Sequence, residues 1–341
     1  MRYGCILTSV RKTVRRDFLS HKWCGAPAFE REGISQMKKS RVFGLAGAFA
    51  CLCALVLVLA GCGGSNNGGS NNSASQPSSD ASSSESTGSS WYASAKANSA
   101  GYKLVEDGTL IGTSDMAYPP LESIVEGKAG EYEGFEIDLV TEVANRLGLK
   151  MKWLDPMKFD TIIPLIKQGG KADVGVSSFT ITDDRKKEID FTESYIDSNQ
   201  AIVMKQGSDK KGASDNETIE KLNAKDVIVA VQQGTTGEEW VKENLPNATL
   251  LPLDNAIDCL QNLGSDKCQA VVADLPCMAY YCKESFKDFE VAVQIATGES
   301  YGIVVSKDNP KLTEDMNKAI KDMKADGTIA KIMEKWFGGN I

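Results

Sequence analysis

The sequence predicts an α/β protein of two small lobes, each with a mainly parallel sheet flanked by helices. Three observations support this prediction. From residue 103 onward, short apolar runs alternate with amphipathic stretches, which is typical of strands followed by helices in parallel sheets. This pattern continues for about 240 residues, enough for two lobes. Apolar residues make up 42% of the 341-residue chain, which is enough to fill a core.

The predicted elements follow one another in this alternating order. Helices are indicated by apolar positions at helical spacing, strands by short apolar runs, and helix ends by glycines such as Gly148. The predicted strands are 110–112, 151–154, 172–177, 227–231 and 270–273. The predicted helices are 137–147, 159–167, 237–244 and 256–263.

A leader at residues 1–61 precedes the globular part. Its last stretch, 42–61, is uncharged and mostly apolar and follows three basic residues, which predicts a secretory signal. The sequence Leu-Ala-Gly-Cys at 59–62 resembles the bacterial lipobox, which implies that Cys62 is lipidated and becomes the new N-terminus. An uncleaved membrane anchor is the alternative, because the run is nearly long enough to span a bilayer. Both interpretations place the rest of the chain outside the cytoplasmic membrane.

Residues 62–100 are predicted to be the lipidated cysteine followed by a flexible tether. The stretch is dominated by Ser, Asn, Gly and Ala and has almost no branched apolar residues. Such a composition buries too little surface to offset the entropy lost on ordering. We therefore expect a globular body held at the outer face of the cytoplasmic membrane by the lipid on Cys62.

The globular part is acidic, which argues against some classes of partner. The first 62 residues carry ten basic and three acidic side chains, so 28 basic and 43 acidic side chains remain, a net charge of −15. This charge repels phosphate backbones, so we expect no nucleic-acid partner. The single histidine, His21, lies in the leader. The body therefore lacks a histidine for a catalytic triad or a metal site, and we expect neither a metal nor a cofactor.

Four cysteines fall in the globular part, at Cys259, Cys268, Cys277 and Cys282. They form no C-x-x-C pair, which argues against zinc and redox chemistry. An even number outside the membrane favours disulfides, and the sequence leaves the three possible pairings open. Cys259 on a helix and Cys268 on the next strand are able to meet. Cys277 and Cys282 lie on one predicted helix, an awkward geometry for a bond.

Six landmarks occur in order through the globular part. They are SDMAYPP at 114–120, GFEIDL at 134–139, FDTIIP at 159–164, TITDDRKK at 180–187, GTTG at 234–237, and the C-terminal DGT and KWFG at 326–328 and 335–338. In this order they resemble the family 3 extracellular solute-binding proteins, the amino-acid receptors of ABC importers. The resemblance extends over roughly residues 103–339.

The resemblance implies a type II periplasmic-binding-protein fold, in which two lobes are joined by a two-strand hinge and the ligand binds between them. Lobe 1 is then 101–199 with 297–341, and lobe 2 is 200–296. The hinge segments are 195–198 and 298–301. The implied function is a monomeric receptor, not an enzyme, that binds a free amino acid and delivers it to the permease of an ABC importer.

A free amino acid offers a carboxylate, an ammonium and a side chain, and the first is expected to meet Arg185. The planar guanidinium matches two carboxylate oxygens. On its own, an arginine within the run Asp-Asp-Arg-Lys-Lys is more typical of a solvated surface. The frame Ser-Ser-x-Thr-x-Thr before it matches the ligand loop of the family, which implies that Ser177, Ser178 and Thr180 add contacts beside Arg185.

The second lobe is expected to supply two more groups. Thr235 and Thr236 lie between a predicted strand and a predicted helix, where N–H groups at a helix start favour an anion. A plain capping turn is the alternative. Asp274 follows a strand and matches the family's ammonium partner, and this end of a strand faces the cleft in open α/β sheets. An aspartate after a strand is equally compatible with an ordinary helix N-cap.

Four residues match positions that surround the ligand side chain in the family: Asp115, Tyr118, Phe159 and Gln232. The two aromatic residues are equally compatible with a place in the core. An acidic Asp115 beside a polar Gln232 favours a polar or cationic amino acid such as arginine or lysine, and leaves glutamine open because a carboxylate also accepts from a neutral amide.

Two other functions compete with the receptor. Related folds outside the cytoplasm include dehydratases and lyases, which need an acid or base in the cleft, and Asp115 is able to serve. A sensor subunit is the third possibility, although no signalling domain is recognised in the chain.

Overall fold

The structure, a computed structural model, describes residues 91–338. In chain order its strands are β1 (Thr109–Thr113), β2 (Ala117–Tyr118), β3 (Glu122–Ile124), β4 (Tyr132–Glu133), β5 (Lys150–Trp153), β6 (Val174–Gly175), β7 (Asp190–Phe191), β8 (Ile196–Lys205), β9 (Ile228–Gln232), β10 (Thr249–Leu253), β11 (Ala270–Asp274), β12 (Phe289–Tyr301) and β13 (Val304–Val305). Its helices are α1 (Trp91–Ser94), α2 (Phe135–Arg146), α3 (Phe159–Gln168), α4 (Asp183–Glu188), α5 (Asp215–Leu222), α6 (Thr236–Asn244), α7 (Ala256–Gly264), α8 (Leu275–Glu284), α9 (Pro310–Ala325) and α10 (Thr328–Phe337). The predicted leader, the predicted lipidation site Cys62 and most of the predicted tether lie outside the described residues.

All nine strands and helices predicted from the sequence are present, with each end shifted by at most two residues. The predicted strand 172–177 is reduced to Val174–Gly175. Among the described helices, none combines the length and the apolar character that crossing a bilayer requires.

The first lobe is built on a five-stranded sheet in the order β5-β1-β6-β13-β7. Strand β1 pairs in parallel with β5 and β6, whereas β13 pairs antiparallel with β6 and β7. Helix α2 buries Phe135, Leu139 and Val143 completely and contacts β5. These apolar positions recur at helical spacing, which is why this segment forms an amphipathic helix with one face on the core.

The second lobe repeats this arrangement with the order β10-β9-β11-β8-β12. Strand β9 pairs in parallel with β10 and β11, and β8 pairs antiparallel with β11 and β12. The two-lobed fold is confirmed, but each sheet is mixed and not mainly parallel. The antiparallel strands lie where the chain passes between the lobes: β7 leads into β8, and β12 leads into β13, without the crossover helix that a parallel pair needs.

The hinge consists of the paired ends of β8 and β12. Ser198 is opposite Glu299, and Ile196 is opposite Tyr301, within the two segments expected to form the hinge. The register shifts between Ile295 and Glu299, which marks a bulge in β12.

The segment after residue 90 differs from the expected tether. Tyr92 is 1% exposed, and a Cβ on Gly169 would lie 2.6 Å from its ring. Lys103 Nζ donates to the Tyr92 carbonyl at 2.9 Å. The composition rule overlooked the adjacent aromatic residues Trp91 and Tyr92, whose large apolar surfaces offset the ordering of a short segment. Trp91 and Tyr92 therefore pack on the first lobe, and the flexible tether expected over 62–100 otherwise stays a prediction.

The four cysteines of the described chain are all free thiols. Cys268 lies before β11 and not on it, and its Sγ is 4.0 Å from the Cys259 carbonyl oxygen. Cys277 and Cys282 both lie on α8, as expected. The expectation of disulfides is wrong for this structure. Burial raises the pKa of the Cys268 thiol to about 11, so this group packs as a neutral side chain.

Candidate ligand-binding site

A narrow cleft with a cavity volume of about 10 Å³ lies between the two lobes and is lined by eleven residues. They are Asp115, Tyr118, Phe159, Ser177, Ser178, Thr180 and Arg185 of the first lobe, and Gln232, Thr235, Thr236 and Asp274 of the second. The structure thus brings together all eleven residues that the sequence pointed to. Their contact with a ligand stays a prediction.

Arg185 lies on α4 and is turned into the cleft and not toward solvent. Its Nη1 donates to the Thr180 carbonyl at 2.9 Å and its Nη2 to the Gly234 carbonyl of the other lobe at 3.0 Å. The guanidinium carbon is 5.6 Å from the Phe159 ring centre and 5.7 Å from that of Phe179. Burial lowers the pKa of Arg185 from its usual value. A buried guanidinium of this kind stabilises an incoming anion far better than a solvated one does.

Ser177 and Ser178 direct hydrogen bonds to two buried carboxyls, and Ser177 also forms a hydrogen bond with Asp115 of the cleft. Ser177 Oγ donates to Glu122 Oε1 at 2.8 Å. Ser178 donates its backbone N–H and its Oγ to Glu136 Oε1 at 3.0 and 3.1 Å, and its φ of +50° is in the left-handed region. Tyr195 also donates to Glu136. In this structure the Ser177 and Ser178 hydroxyls support the loop through these carboxyls, and their contact with a ligand stays a prediction.

Glu122 and Glu136 meet because Gly134 allows a close approach of two segments. A Cβ on Gly134, which has a φ of +138°, would lie 2.2 Å from the Leu121 carbonyl oxygen. Burial, followed by the neighbouring Glu136 charge, raises the pKa of Glu122 well above its ordinary value. Glu122 therefore keeps its proton and is able to donate it to Glu136 in a hydrogen bond.

On the second lobe, Thr235 and Glu238 form a capping box at the start of α6. Thr235 Oγ1 accepts from the Glu238 amide at 3.2 Å, and Glu238 Oε2 accepts from the Gly234 amide at 2.7 Å. The capping turn that the sequence left as the alternative is thus present. Thr236, the next residue, directs its Oγ1 into the cleft, 3.5 Å from Thr180 Oγ1.

Asp274 is at the N-cap position of α8 but makes no capping hydrogen bond. Its carboxylate instead accepts from the Tyr118 hydroxyl at 3.0 Å and from the Gln200 amide, both in the cleft. Burial, and next the charge of Glu299, raises the pKa of Asp274 to about 7. Asp274 thus occupies the N-cap position that the alternative gave it, but its side chain does not cap α8 and is available as an acceptor between the lobes.

Asp115 and Gln232, two further residues of the cleft lining, approach each other from different lobes. Gln232 Nε2 donates to Asp115 Oδ2 at 2.8 Å, and the Ala117 amide donates to Oδ1 at 3.0 Å. Burial raises the pKa of Asp115. One face of Phe159 stacks on Phe179, with ring centres 4.5 Å apart, so at most the opposite face remains for a ligand.

Several residues around the cleft escaped the sequence reasoning. Glu299 accepts hydrogen bonds from Thr180 and Thr236, Gln200 donates to Asp274, and Glu122 with Glu136 supports the serine loop. Glu299 lies inside the predicted hinge segment 298–301, so a charged residue at a hinge was the available signal. No cluster of three metal-binding side chains occurs in residues 91–338.

The chain was compared with known proteins. Residues 110–339 match the family described as bacterial extracellular solute-binding proteins, family 3. The chain belongs to this family. The match extends from β1 to the end of α10 and therefore includes both lobes and the hinge.

Named relatives of this solute-binding protein include the ABC transporter glutamine-binding protein GlnH of Bacillus subtilis. The two are 29% identical over 252 residues, which cover 73% of this chain and 89% of GlnH. A solved ancestral arginine-binding protein bound to arginine is 39% identical, with a TM-score of 0.62 and coverage of 68% and 99%. The ancestral amino acid-binding protein AncCDT-1, a precursor of cyclohexadienyl dehydratase, is 37% identical, with a TM-score of 0.60 and coverage of 67% and 96%.

Proposed function

We propose that the protein is an extracytoplasmic receptor that binds one free amino acid between its lobes and delivers it to an ABC importer. One observation carries the proposal: a guanidinium from one lobe and a carboxylate from the other, Arg185 and Asp274, line the same buried cleft. A zwitterion presents the complementary pair of charges on one carbon. Membership of the solute-binding family supports the same conclusion.

We assign the ligand carboxylate to Arg185. The guanidinium now donates to two neutral carbonyl oxygens, which are weaker acceptors than a carboxylate. A ligand carboxylate is therefore able to replace them and to gain both hydrogen bonds. Phe159 and Phe179 lie beneath the guanidinium and restrict its plane.

We assign the ligand ammonium to Asp274. Tyr118 donates to this carboxylate and holds it in place across the cleft. With a pKa of about 7 the carboxyl is easily protonated, and a nearby ammonium shifts it to the charged form. The ligand then contacts both lobes, which favours closure about the hinge between lobe 1 (101–199 and 297–341) and lobe 2 (200–296).

The ligand side chain is assigned to the end of the cleft at Asp115 and Gln232. A guanidinium or ammonium is able to insert between these groups and gain a charge-assisted bond from Asp115. Among the similar proteins, one is named for glutamine and another for arginine, both long polar amino acids, whereas a third is named for cystine. We favour a cationic amino acid, with glutamine as the alternative.

Anchoring is part of the proposal. The lipobox-like sequence at 59–62 supports lipidation at Cys62, which attaches a monomeric receptor to the outer face of the cytoplasmic membrane beside its permease. Mass spectrometry of the mature N-terminus tests this directly: diacylated or triacylated Cys62 is expected, and an unmodified cysteine contradicts it.

A thermal-shift screen tests the binding function. The twenty amino acids, ornithine, citrulline and cystine are added to the purified protein, and a bound ligand raises the unfolding temperature with the logarithm of its concentration over Kd. Arginine, lysine or glutamine is expected to give the largest shift. A screen in which no amino acid shifts the transition contradicts the proposal.

An enzyme on the same fold is the second candidate, because AncCDT-1 is similar to this chain and is named as the precursor of a dehydratase. Asp274, with its pKa of about 7, has the acidity of a general acid. The ligand recovered from denatured protein after long incubation separates the two functions. A receptor returns the amino acid unchanged, whereas an enzyme returns product.

A further inference from the structure

The carboxylate of Glu299 reaches into the cleft from the hinge. A single oxygen, Oε2, accepts from Thr180 Oγ1 at 2.7 Å, from Thr236 Oγ1 at 2.8 Å and from Gln200 Nε2 at 3.3 Å. Thr180 belongs to the first lobe and Thr236 to the second. Glu299 therefore joins the two lobes through one negatively charged atom.

The backbone of β12 explains how a hinge residue points inward. Ile295 pairs with Gln200 of β8, and Glu299 pairs with Ser198. Between these two pairs, β12 therefore contains more residues than β8. The extra residues form a bulge, and Gly298 within it has a φ of +65°, which suits glycine. Bulges of this kind turn a side chain out of its regular alternation. Here the side chain turned by the bulge is Glu299.

The contacts of Glu299 are those that a ligand carboxylate is expected to make. Both threonine hydroxyls line the cleft beside Arg185, and the guanidinium attracts the Glu299 charge. All three groups that contact Oε2 act as donors to it. An anion that enters this end of the cleft must either displace Glu299 from these donors or lie beside it against electrostatic repulsion.

We propose that Glu299 is an internal competitor for the ligand carboxylate, which lowers the affinity of the site and holds the lobes together when no ligand is bound. The competition for the ligand carboxylate rests on the proposed function, because that function identifies the ligand. The contact between the lobes rests on the observed hydrogen bonds of Glu299. It makes Glu299 an affinity-determining residue: a ligand binds by exchanging one carboxylate for another between the same hydroxyls. Ligands without a carboxylate have nothing to exchange.

Titration calorimetry on the full chain tests the competition. The probes are the amino acid that gives the largest thermal shift and the amine obtained by decarboxylating it, for example arginine and agmatine. The variants are Glu299→Ala, which removes the competitor, and Glu299→Gln, which keeps an accepting oxygen without the charge. Asp197→Asn is the matched control, since it removes an exposed carboxylate from the paired hinge strand, outside the cleft lining.

Glu299→Ala is expected to bind the amino acid about tenfold more tightly, and Glu299→Gln to show a smaller gain. The affinity of both Glu299 variants for the amine should stay within about twofold of the wild type. The affinity of Asp197→Asn for the amino acid should also stay within about twofold of the wild type. Weaker or unchanged binding of the amino acid by both Glu299 variants overturns the proposal. Weaker binding shows instead that Glu299 helps to hold the ligand ammonium.

Hydrogen exchange of the ligand-free protein tests the closure separately. The Asp274 amide donates to the Tyr118 hydroxyl across the cleft at 3.1 Å, so its protection reports contact between the lobes. Exchange at this amide should be at least about fivefold faster in Glu299→Ala than in the wild type or in Asp197→Asn. Equal rates overturn this half of the inference. If the wild type binds no amino acid, the proposed function and the competition fail together, whereas the exchange experiment still decides the role of Glu299 in closure.

Discussion

The two walls of the cleft hold their polar groups in different ways. In the first lobe, Ser177 and Ser178 belong to an irregular loop and are fixed by Glu122 and Glu136, two carboxyls with no exposed surface. In the second lobe, the polar groups lie at the ends of regular elements: the capping box that starts α6, and Asp274 at the end of β11.

Because of this difference, we expect substitutions in the two walls to affect different properties, the stability of the fold in the first lobe and ligand binding in the second. The wall of the first lobe depends on tertiary contacts behind it, so changes to its supports should affect folding and its pH dependence. The wall of the second lobe depends on local rules of helices and strands, so single side chains there can change with little effect on the fold. Arg185 is the exception in the first lobe, because it lines the cleft itself and is the proposed partner of the ligand carboxylate.

The largest expected effect is the loss of Arg185. Arg185→Ala leaves a desolvated ligand carboxylate without its partner and should reduce the binding free energy by roughly 2–5 kcal/mol in calorimetry. Lys186→Ala is the control, because this neighbour on α4 is exposed and pairs with Asp183. An Arg185→Ala affinity within threefold of the wild type shows that the carboxylate is held elsewhere.

Asp115 should decide between cationic and neutral side chains. Asp115→Asn is expected to weaken arginine or lysine binding by roughly 1.5–3 kcal/mol, and glutamine binding by about 1 kcal/mol or less, because only the cation loses a charge-assisted bond. Asp160→Asn is the control, since Asp160 also accepts across the lobes, from Gln233 at 2.9 Å, but is not part of the cleft lining. Equal losses for both ligand classes contradict the assignment.

The raised pKa of Asp274 makes binding dependent on pH. At pH 6 a carboxyl with a pKa of about 7 is mostly protonated, and a bound ammonium requires its charged form. Binding at pH 6 should therefore release about one proton, and affinity should rise up to about tenfold per pH unit between pH 5 and 7. Calorimetry in buffers of different ionisation enthalpy measures the release. Asp274→Asn should show none, and proton uptake by the wild type contradicts the assignment.

The smallest effect is expected at Glu122, behind the first wall. Its folded-state pKa is raised, so its contribution to stability is present below its unfolded value and is lost as the pH rises toward the folded value. Glu122→Gln keeps a donor at every pH and should be about 1 kcal/mol more stable than the wild type at pH 8, with no gain at pH 4.

Thermal unfolding at the two pH values measures this difference. Glu126→Gln, an exposed residue of the same region, serves as the control for lost charge. A wild type that becomes more stable than Glu122→Gln as the pH rises shows that the Glu122–Glu136 pair does not share a proton.

The difference between the two walls of the cleft also explains which of the cleft residues could be predicted from the sequence. Asp274, Thr235 and Thr236 follow local rules at strand and helix ends, and Arg185 lies on α4 just after the recognisable Ser-Ser-x-Thr-x-Thr frame, so their place in the cleft was predictable. The serine hydroxyls were assigned to the ligand because Glu122 and Glu136 are distant in sequence from the loop they support. Glu299 was missed because a bulge decides which way it points, and no composition or periodicity encodes that. Tyr92 was missed because the expected tether was judged by its average composition.

The central claim is that one ligand bridges the lobes through Arg185 and Asp274. Calorimetry on the wild type and on Arg185→Ala, with the best amino acid and its decarboxylated amine, tests it most directly. The wild type should bind the amino acid about hundredfold or more tightly than the amine. Arg185→Ala should retain a preference of less than about tenfold, whereas Asp274→Asn should keep most of the wild-type preference. An Arg185→Ala protein that discriminates as strongly as the wild type contradicts the account.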